Sequence, residues 1–414
     1  MNKDSTFRIE PPLETVRGGE TAPEGFVSGG VACGVRGERG LDLGLLFSER
    51  ACVSAGVYTR NAFKGAPLAP AREAVEAGLV RAVVVNSGNA NAATGRQGIT
   101  DAHTMQKAAA GALGIPPGEV AVASTGVIGE RLPIERIEGC IPEAAGALGR
   151  EGSGFAEAIL TTDTRKKEAA VRVPLGGGYV TVGGVAKGSG MIEPDMGTML
   201  AFLTTDAAVA RDCLQQTLAR AVDASFNRVT VDGDTSPSDM ALLLANGAAD
   251  NEPLTLDSPE YPAFIEAVEE VTKHLAREIA RDGEGATKLV EATVEGARGE
   301  EQAAALAKSI VGSSLVKTAV AGEDANWGRV LVALGYSGAE FDPADLTLYF
   351  GGLKVFEGGE PVPHDEAEAN RTLAGDEVEI RAVLAGGESG KASATAWGCD
   401  LTYEYVRING SYRT

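Results

Sequence analysis

The sequence predicts a mixed α/β protein, and three observations carry that prediction. Strand-like and helix-like segments alternate along the chain, as layered α/β architectures require. Glycine supplies 54 of 414 residues, well above the usual ~7%, which implies many tight turns and close backbone approaches. Aromatic residues make up only 5%, so Val, Leu, Ile and Ala must fill most of the core. At roughly 150 residues per domain, the length suits two or three domains.

In chain order, residues 79–86 (LVRAVVVN) read as a buried strand that runs into the Gly/Asn-rich turn SGNANAATG. A helix is predicted over about 101–113, closed by Ile115-Pro116-Pro117. Residues 119–124 form a second short strand, opening into Thr125-Gly126-Val127-Ile128-Gly129. Asp206 is predicted to N-cap a helix reaching about Ala224, with Val209, Cys213, Leu214, Leu218 and Val222 on its apolar face. Residues 228–232 (RVTVD) are strand-like, and GDTS then turns. Phe264, Val268, Val271, Leu275 and Ile279 recur at helical spacing, and Asp282-Gly283-Glu284-Gly285 stops that helix. Residues 346–350, 377–384 and 392–406 read as strands, the last two joined by a hairpin-type turn at GGESGK. This shift toward strand suggests a structural core over about 1–284 and a smaller C-terminal α/β domain over about 285–414.

The charge balance narrows the function. Lys and Arg total 37 against 58 Asp and Glu, a formal net charge of −21. That argues against a nucleic-acid binder, whose footprint is basic, and against docking on an anionic membrane. No stretch approaches the ~18 consecutive apolar residues of a transmembrane helix. Residues 1–10 are polar and carry no apolar signal core. Cys33, Cys52, Cys140, Cys213 and Cys399 are scattered and form no CxxC, so free thiols in a reducing cytoplasm are the expectation. His103, His274 and His364 stand in no metal motif and beside no evident nucleophile. Neither a histidine-rich zinc site nor a Ser-His-Asp triad is therefore expected.

Composition and spacing by themselves locate no catalytic centre. No G-x-x-x-x-G-K-[ST] occurs, and Lys187-Gly188-Ser189-Gly190 has the wrong spacing for a phosphate loop. Whole segments are more specific. Residues 187–207 read KGSGMIEPDMGTMLAFLTTDA, 225–247 read SFNRVTVDGDTSPSDMALLLANG, and 86–95 read NSGNANAATG. STGVIGERLP begins at Ser124, TTDTRKK at Thr161 and GEGATK at Gly283. LVKTAVAGEDANWGRV and ATAWGCDLTYEYVRINGSYRT follow in the C-terminal part. In register from about residue 26 to Thr414, these blocks closely resemble the ornithine acetyltransferase family, also called the bifunctional glutamate N-acetyltransferases of arginine biosynthesis.

The resemblance implies an Ntn-like αββα sandwich core shared by two self-cleaved chains, with the smaller C-terminal domain beside it and the site in the cleft between them. Family members cut themselves before the threonine of an M-x-T-M-L segment, here between Gly197 and Thr198, giving an α chain of 1–197 and a β chain of 198–414. The chemistry is coherent. A threonine hydroxyl is a poor nucleophile until a base takes its proton. Cleavage frees an α-amino group on Thr198 itself, of reference pKa ~7.7–8.0. Nucleophile and base then share one residue, and no histidine is needed.

Other positions carry over one by one. Thr125 and Gly126 match the family's oxyanion-hole pair. Thr164, Lys187, Thr198, Glu284, Asn409 and Thr414 match its substrate-binding positions. Lys187 suits a carboxylate as a point charge. Glu284 suits an ammonium group or a proton transfer. Asn409 and Thr414 suit neutral hydrogen bonds, which implies a C-terminal tail tied into the site. The implied reaction is ping-pong: N2-acetyl-ornithine acetylates Thr198, ornithine leaves, and glutamate takes the acetyl group. Acetyl-CoA is a second donor in some members. No metal or bound cofactor is implied, and two αβ units associate as an α2β2 heterotetramer.

Some residues depart from the pattern. The family commonly places Asn, Met and Ala before the threonine, where this chain has Asp195, Met196 and Gly197. Glycine leaves the attacked carbonyl open but loosens the backbone, and Asp195 and Glu193 put carboxylates near the cut. These differences bear on cleavage efficiency rather than on the nucleophile. Ala93 stands where cysteine is common. No residue decides between a bifunctional enzyme and a monofunctional one that ignores acetyl-CoA. A self-processing aminopeptidase or amidohydrolase of the same broad fold is the rival of a different class.

Overall fold

The computed structural model describes residues 13–37, 40–151, 154–193, 199–385 and 391–411. Asp195, Met196, Gly197, Thr198 and Thr414 lie outside the described residues, as do residues 1–10 and most of the GGESGK turn. The strands are β1 (Glu14–Thr15), β2 (Phe26–Val31), β3 (Leu43–Tyr58), β4 (Leu79–Asn89), β5 (Val120–Val127), β6 (Lys167–Leu175), β7 (Gly178–Lys187) and β8 (Leu200–Thr205). They continue as β9 (Val229–Thr230), β10 (Met240–Ala245), β11 (Leu289–Ala297), β12 (Leu346–Phe350), β13 (Leu353–Glu357), β14 (Glu360–Pro361), β15 (Glu377–Leu384) and β16 (Ala392–Cys399). The helices are α1 (Leu68–Ala77), α2 (Gly95–Leu113), α3 (Ile134–Gly146), α4 (Gly154–Ala158), α5 (Arg211–Ala224) and α6 (Tyr261–Arg281). After these come α7 (Glu300–Gly312), α8 (Ser314–Ala321), α9 (Trp327–Gly335), α10 (Glu366–Arg371) and α11 (Tyr403–Asn409).

The first sheet runs β1-β6-β7-β8-β10-β3-β4-β5, with β2 beside β3. Side-chain alternation shows how it is layered. Val83 and Val85 of β4 pack with Leu200, Phe202, Leu242 and Leu244 of β8 and β10. Ala82 and Val84, pointing the other way, meet Met105 and Ala109 of α2 and Ile137 and Ile141 of α3. The outer faces of β8 and β10 (Ala201, Leu203, Ala241, Leu243) meet Leu214 and Leu218 of α5 and Val271 and Leu275 of α6. One hydrogen-bonded sheet therefore folds over on itself into two β layers, with helices outside each. This is the αββα core that the resemblance implied. Strand β3 carries the fold-over. Its first half pairs with β2 and β4 and its second half with β10, and its register with β4 shifts between Phe47 and Cys52.

The second sheet runs β14-β13-β12-β15-β11-β16-β9. One face buries Ala292, Leu348 and Ile380 against Leu306 and Ile310 of α7, Val320 of α8 and Leu334 of α9. On the other face, Leu289, Trp397 and Cys399 join the core around α6. Helix α6 is thus shared, and β9 reaches across from the earlier part of the chain to pair with β16. Among the described residues no single helix is long and apolar enough to cross a membrane, and the bent pair α7–α8 is built into the second core.

Three expectations need correction. Asp206 does not cap α5, which begins at Arg211 with Ala210 as its N-cap. The Asp206 carboxylate instead accepts the N–H groups of Thr181 (2.7 Å) and Glu24 (3.1 Å), joining distant loops. Helix α2 starts at Gly95, six residues before the predicted 101. The last strand stops at Cys399, because Asp400 turns away to accept the N–H groups of Thr287 and Lys288, and Thr402 then caps α11.

Glu20 is a buried acid within this frame. The Ser28 hydroxyl donates to its Oε1 (2.7 Å), and Oε2 has no hydrogen-bond partner among the described residues. Burial pushes its carboxyl up to about 7 despite help from Ser28. A carboxyl raised by folding binds more protons in the folded state than in the unfolded state between its ordinary value and the raised one. Stability therefore falls as pH rises through that window. Glu20→Gln removes the ionisation, so its Tm advantage over wild type should grow between pH 5 and pH 8. A constant difference in thermal melts across that range would take Glu20 out of the pH dependence.

Candidate active site

Strand ends converge where the two sheets meet. Strands β4 and β5 run parallel, with Gly88 opposite Gly126. Gly126 has φ +131°, and a Cβ there would sit 2.3 Å from the Gly88 carbonyl carbon. Only glycine allows this approach. The Ser124 hydroxyl donates to Asn86 Oδ1 (2.6 Å), and Asn86 Nδ2 donates to the Asn89 carbonyl (2.9 Å). The Asn-rich run thus locks the ends of both strands and sets Thr125 and Gly126 in place.

Lys187 ends β7, and its ammonium donates to Thr125 Oγ1 (3.4 Å). The Thr125 oxygen accepts in this contact, which leaves its O–H free to donate elsewhere. A buried charge cluster lies beside Lys187. Lys167 Nζ bridges Asp163 (2.7 Å) and Asp282 (2.6 Å), and the Gly188 N–H donates to Asp163 (2.7 Å). Burial alone would raise the Asp163 carboxyl, but Lys167, Lys187 and the Gly188 N–H hold it well below the usual carboxylate range. Burial pushes the Lys187 ammonium down, and Asp163, Asp239 and Glu284 restore only part of the loss.

Glu284 follows α6, with its N–H on the Ser189 carbonyl (2.9 Å). A Cβ on Gly190 would lie 2.5 Å or less from the Glu284 carboxyl carbon and oxygens, so the K-G-S-G run lets this acid press against the backbone. Asn409, the last residue of α11, donates to Glu284 Oε2 (2.8 Å). Tyr405, one turn earlier, donates to Asp232 (3.3 Å). Asp232 also accepts the N–H groups of Met191 (2.7 Å) and Ile192 (2.8 Å) and so pins the chain just upstream of residue 193.

Thr125, Gly126, Lys187, Glu284 and Asn409 all line one cavity of about 170 Å³, together with Met199 at the head of β8. Thr164 lines the adjoining hollow, with Glu284 in the wall of both. The Thr164 hydroxyl and N–H both donate to Asp282. Thr198 and Thr414 lie outside the described residues, and Met199 follows Thr198 directly in the chain. Sequence reasoning gave no role to Asp163, Asp232, Asp239, Asp282 or Tyr405. The first four sit in or beside segments that carried the resemblance, TTDTRKK, VDGDTSPSDM and GEGATK, and nothing in their spacing shows that they converge. Among the described residues, no group of three or more His, Cys, Asp or Glu could hold a metal ion.

The cavity combines one cation, Lys187, with the carboxyl groups of Asp232, Asp234, Asp239 and Glu284, and a hydroxyl beside a glycine N–H. That suits a small zwitterionic molecule with a carbonyl that becomes an oxyanion. The ArgJ family model matches residues 27–414. The arginine biosynthesis bifunctional protein ArgJ of Symbiobacterium thermophilum is 55% identical over 97% of this chain and 100% of its own length. The protein of the same name from Bacillus subtilis is 49% identical over 98% of this chain and 99% of its own. Among solved structures, ArgJ of Bacillus halodurans is 47% identical with a TM-score of 0.50, covering 52% of this chain and 100% of its own. An ornithine acetyltransferase of Mycobacterium tuberculosis, solved with ornithine, is 40% identical with a TM-score of 0.42, covering 44% of this chain and 99% of its own.

Proposed function

Because this chain belongs to the ArgJ family, we propose that it transfers the acetyl group of N2-acetyl-ornithine to glutamate through an acetyl-Thr198 intermediate, as a step of arginine biosynthesis. The observation that carries the reading is the single cavity where Thr125, Gly126, Lys187 and Glu284 meet beside Met199. The Thr198 hydroxyl attacks the acetyl carbonyl, and its proton passes to the residue's own α-amine. The Thr125 O–H and the Gly126 N–H hold the oxyanion. Lys187 takes the substrate carboxylate. Glu284, steadied by Asn409, accepts a hydrogen bond from the α-nitrogen and holds it in place. The amine then protonates the departing ornithine nitrogen, and glutamate repeats the steps in reverse.

The proposal includes self-cleavage after Gly197. The Bacillus halodurans chain is covered whole yet spans 52% of this one, a proportion that fits a 198–414 product. The proposal also extends to acetyl-CoA as a second acetyl donor, with no metal or bound cofactor, to an α2β2 assembly and to a cytoplasmic location.

Two-substrate kinetics test the core of this reading. N2-acetyl-ornithine should disappear only as N-acetylglutamate forms, with parallel lines in double-reciprocal plots of initial rates. Intersecting lines, or steady acetate release without glutamate, would exclude the ping-pong transferase. Product from acetyl-CoA and glutamate should also appear, and its absence at saturating donor would leave a monofunctional enzyme.

A further inference from the structure

Thr164, Lys187 and Glu284 reach the site from three separate stretches of chain: the loop before β6, the end of β7 and the turn after α6. One buried ionic triad ties those stretches together. The side chains of Asp163 and Lys167 are fully buried, and that of Asp282 is 2% exposed. Lys167 Nζ stands between the two carboxylates, at 2.7 and 2.6 Å. Asp163 Oδ1 also accepts the Gly188 N–H (2.7 Å), and its Oδ2 accepts the Thr161 N–H (3.1 Å). Asp282 accepts both the N–H and the hydroxyl of Thr164. The Ser189 hydroxyl donates to the Asp282 carbonyl (2.7 Å), and the Ser189 carbonyl accepts the Glu284 N–H (2.9 Å).

The Gly188 N–H belongs to the peptide that follows Lys187, so Asp163 fixes the root of that side chain. The tip is held less tightly. Lys187 is 7% exposed, yet among the described residues its ammonium makes one hydrogen bond, the 3.4 Å contact with Thr125. Two of its three donors therefore remain for a ligand. A buried ion pair adds little net stability, because desolvation offsets the attraction. Registry is the better account of these charges: each bond that leaves the triad ends on a segment that supplies a site residue.

We propose that Asp163, Lys167 and Asp282 are positioning residues that hold Thr164, Lys187 and Glu284 at fixed separations and aim the Lys187 ammonium at the substrate α-carboxylate. The inference rests on the reading of Lys187 as the carboxylate contact. Asp163 acts on the lysine through the Gly188 peptide and through its charge. Asp282 acts on Thr164 directly and on Glu284 through Ser189. Arg165 approaches Asp282 from the solvent side (3.6 Å), so that acid keeps a cation even when Lys167 is replaced.

The test compares two ligands by calorimetry, L-ornithine and 1,4-diaminobutane, which is ornithine without its carboxylate. Wild-type enzyme should bind ornithine at least about tenfold more tightly, and Lys187→Met should remove most of that preference. A preference that survives Lys187→Met defeats the underlying Lys187 reading, and this shows before the triad is touched. Asp163→Asn keeps the shape and removes the charge. It should weaken ornithine roughly tenfold while changing 1,4-diaminobutane by less than about threefold. Equal losses for both ligands would make Asp163 a merely structural residue and overturn the proposal, as would no loss for either. If Asp163→Asn does not fold, the double variant Asp163→Asn/Lys167→Met removes one charge of each sign and is read by the same comparison. A selective loss of ornithine there supports the proposal. An equal loss, no loss, or failure of the double variant to fold overturns it.

Discussion

Thr198→Ala should remain a single 414-residue chain and show no transferase activity, a loss of roughly 10⁴-fold or more. In the proposed mechanism one oxygen serves both steps. It first attacks the Gly197 carbonyl, the peptide nitrogen leaves as the α-amine, and water opens the ester. Later the same oxygen carries the acetyl group. The chain is held on either side of the proposed cut: Asp232 accepts the N–H groups of Met191 and Ile192 upstream, and β8 begins at Leu200 downstream. Short, anchored spans of this kind favour reaction by limiting the geometries available to the attacking oxygen. Thr198→Ser keeps a hydroxyl and should still cut, more slowly because a serine side chain is freer to rotate. Gly197→Ala stiffens the backbone before the cut and should cut at least as well as wild type. Intact mass and N-terminal sequencing of the β chain read all three variants. A β chain that begins at any other residue, or an active Thr198→Ala enzyme, would end the assignment. Wild-type protein that stays whole would instead point to Asp195 and Gly197, leaving Thr198 without its freed amine.

Regular periodicity made α6 legible. Its five apolar residues at helical spacing are all buried against the first sheet and β16. The same rule misleads at residues 401–406, where apolar and polar residues alternate as in a half-buried strand. There Thr402 caps a helix, and Tyr403 and Val406 face solvent. Asp206 shows a second limit. Its position suits a local cap, but its carboxylate serves Thr181 and Glu24 across long loops of chain. Local rules cannot weigh partners that only the finished fold supplies. The site shows the same division. The proposed oxyanion pair, Thr125 and Gly126, is contiguous and lies in a quotable segment. By contrast, the Asn409–Glu284 contact and the Lys167–Asp282 contact each span more than a hundred residues. The resemblance brought Glu284 and Asn409 forward because family members share them. It assigned nothing to Asp239, whose unused oxygen becomes visible only once β8 and β10 lie side by side.

Thr125→Ala should lower kcat roughly ten- to a thousand-fold and leave KM nearly unchanged. The oxyanion exists only while the acyl carbon is tetrahedral, so a donor aimed at it contributes little to binding the ground state. Lys187 already donates to Thr125 Oγ1, which frees the threonine O–H to turn toward the cavity. The substitution should leave the backbone as it is, because β5 pairs with β4 through main-chain bonds and Gly126 stays in its left-handed conformation. The remaining Gly126 N–H keeps the rate above background. Thr125→Ser preserves the hydroxyl and should keep most of the rate. The pair of variants separates charge stabilisation from packing: loss in Ala with recovery in Ser assigns the effect to the O–H. Equal losses in both would assign it to the methyl group. A rise in KM at constant kcat would make Thr125 a ground-state contact, and an unchanged kcat in cleaved, folded Thr125→Ala would reduce it to the residue that ends β5.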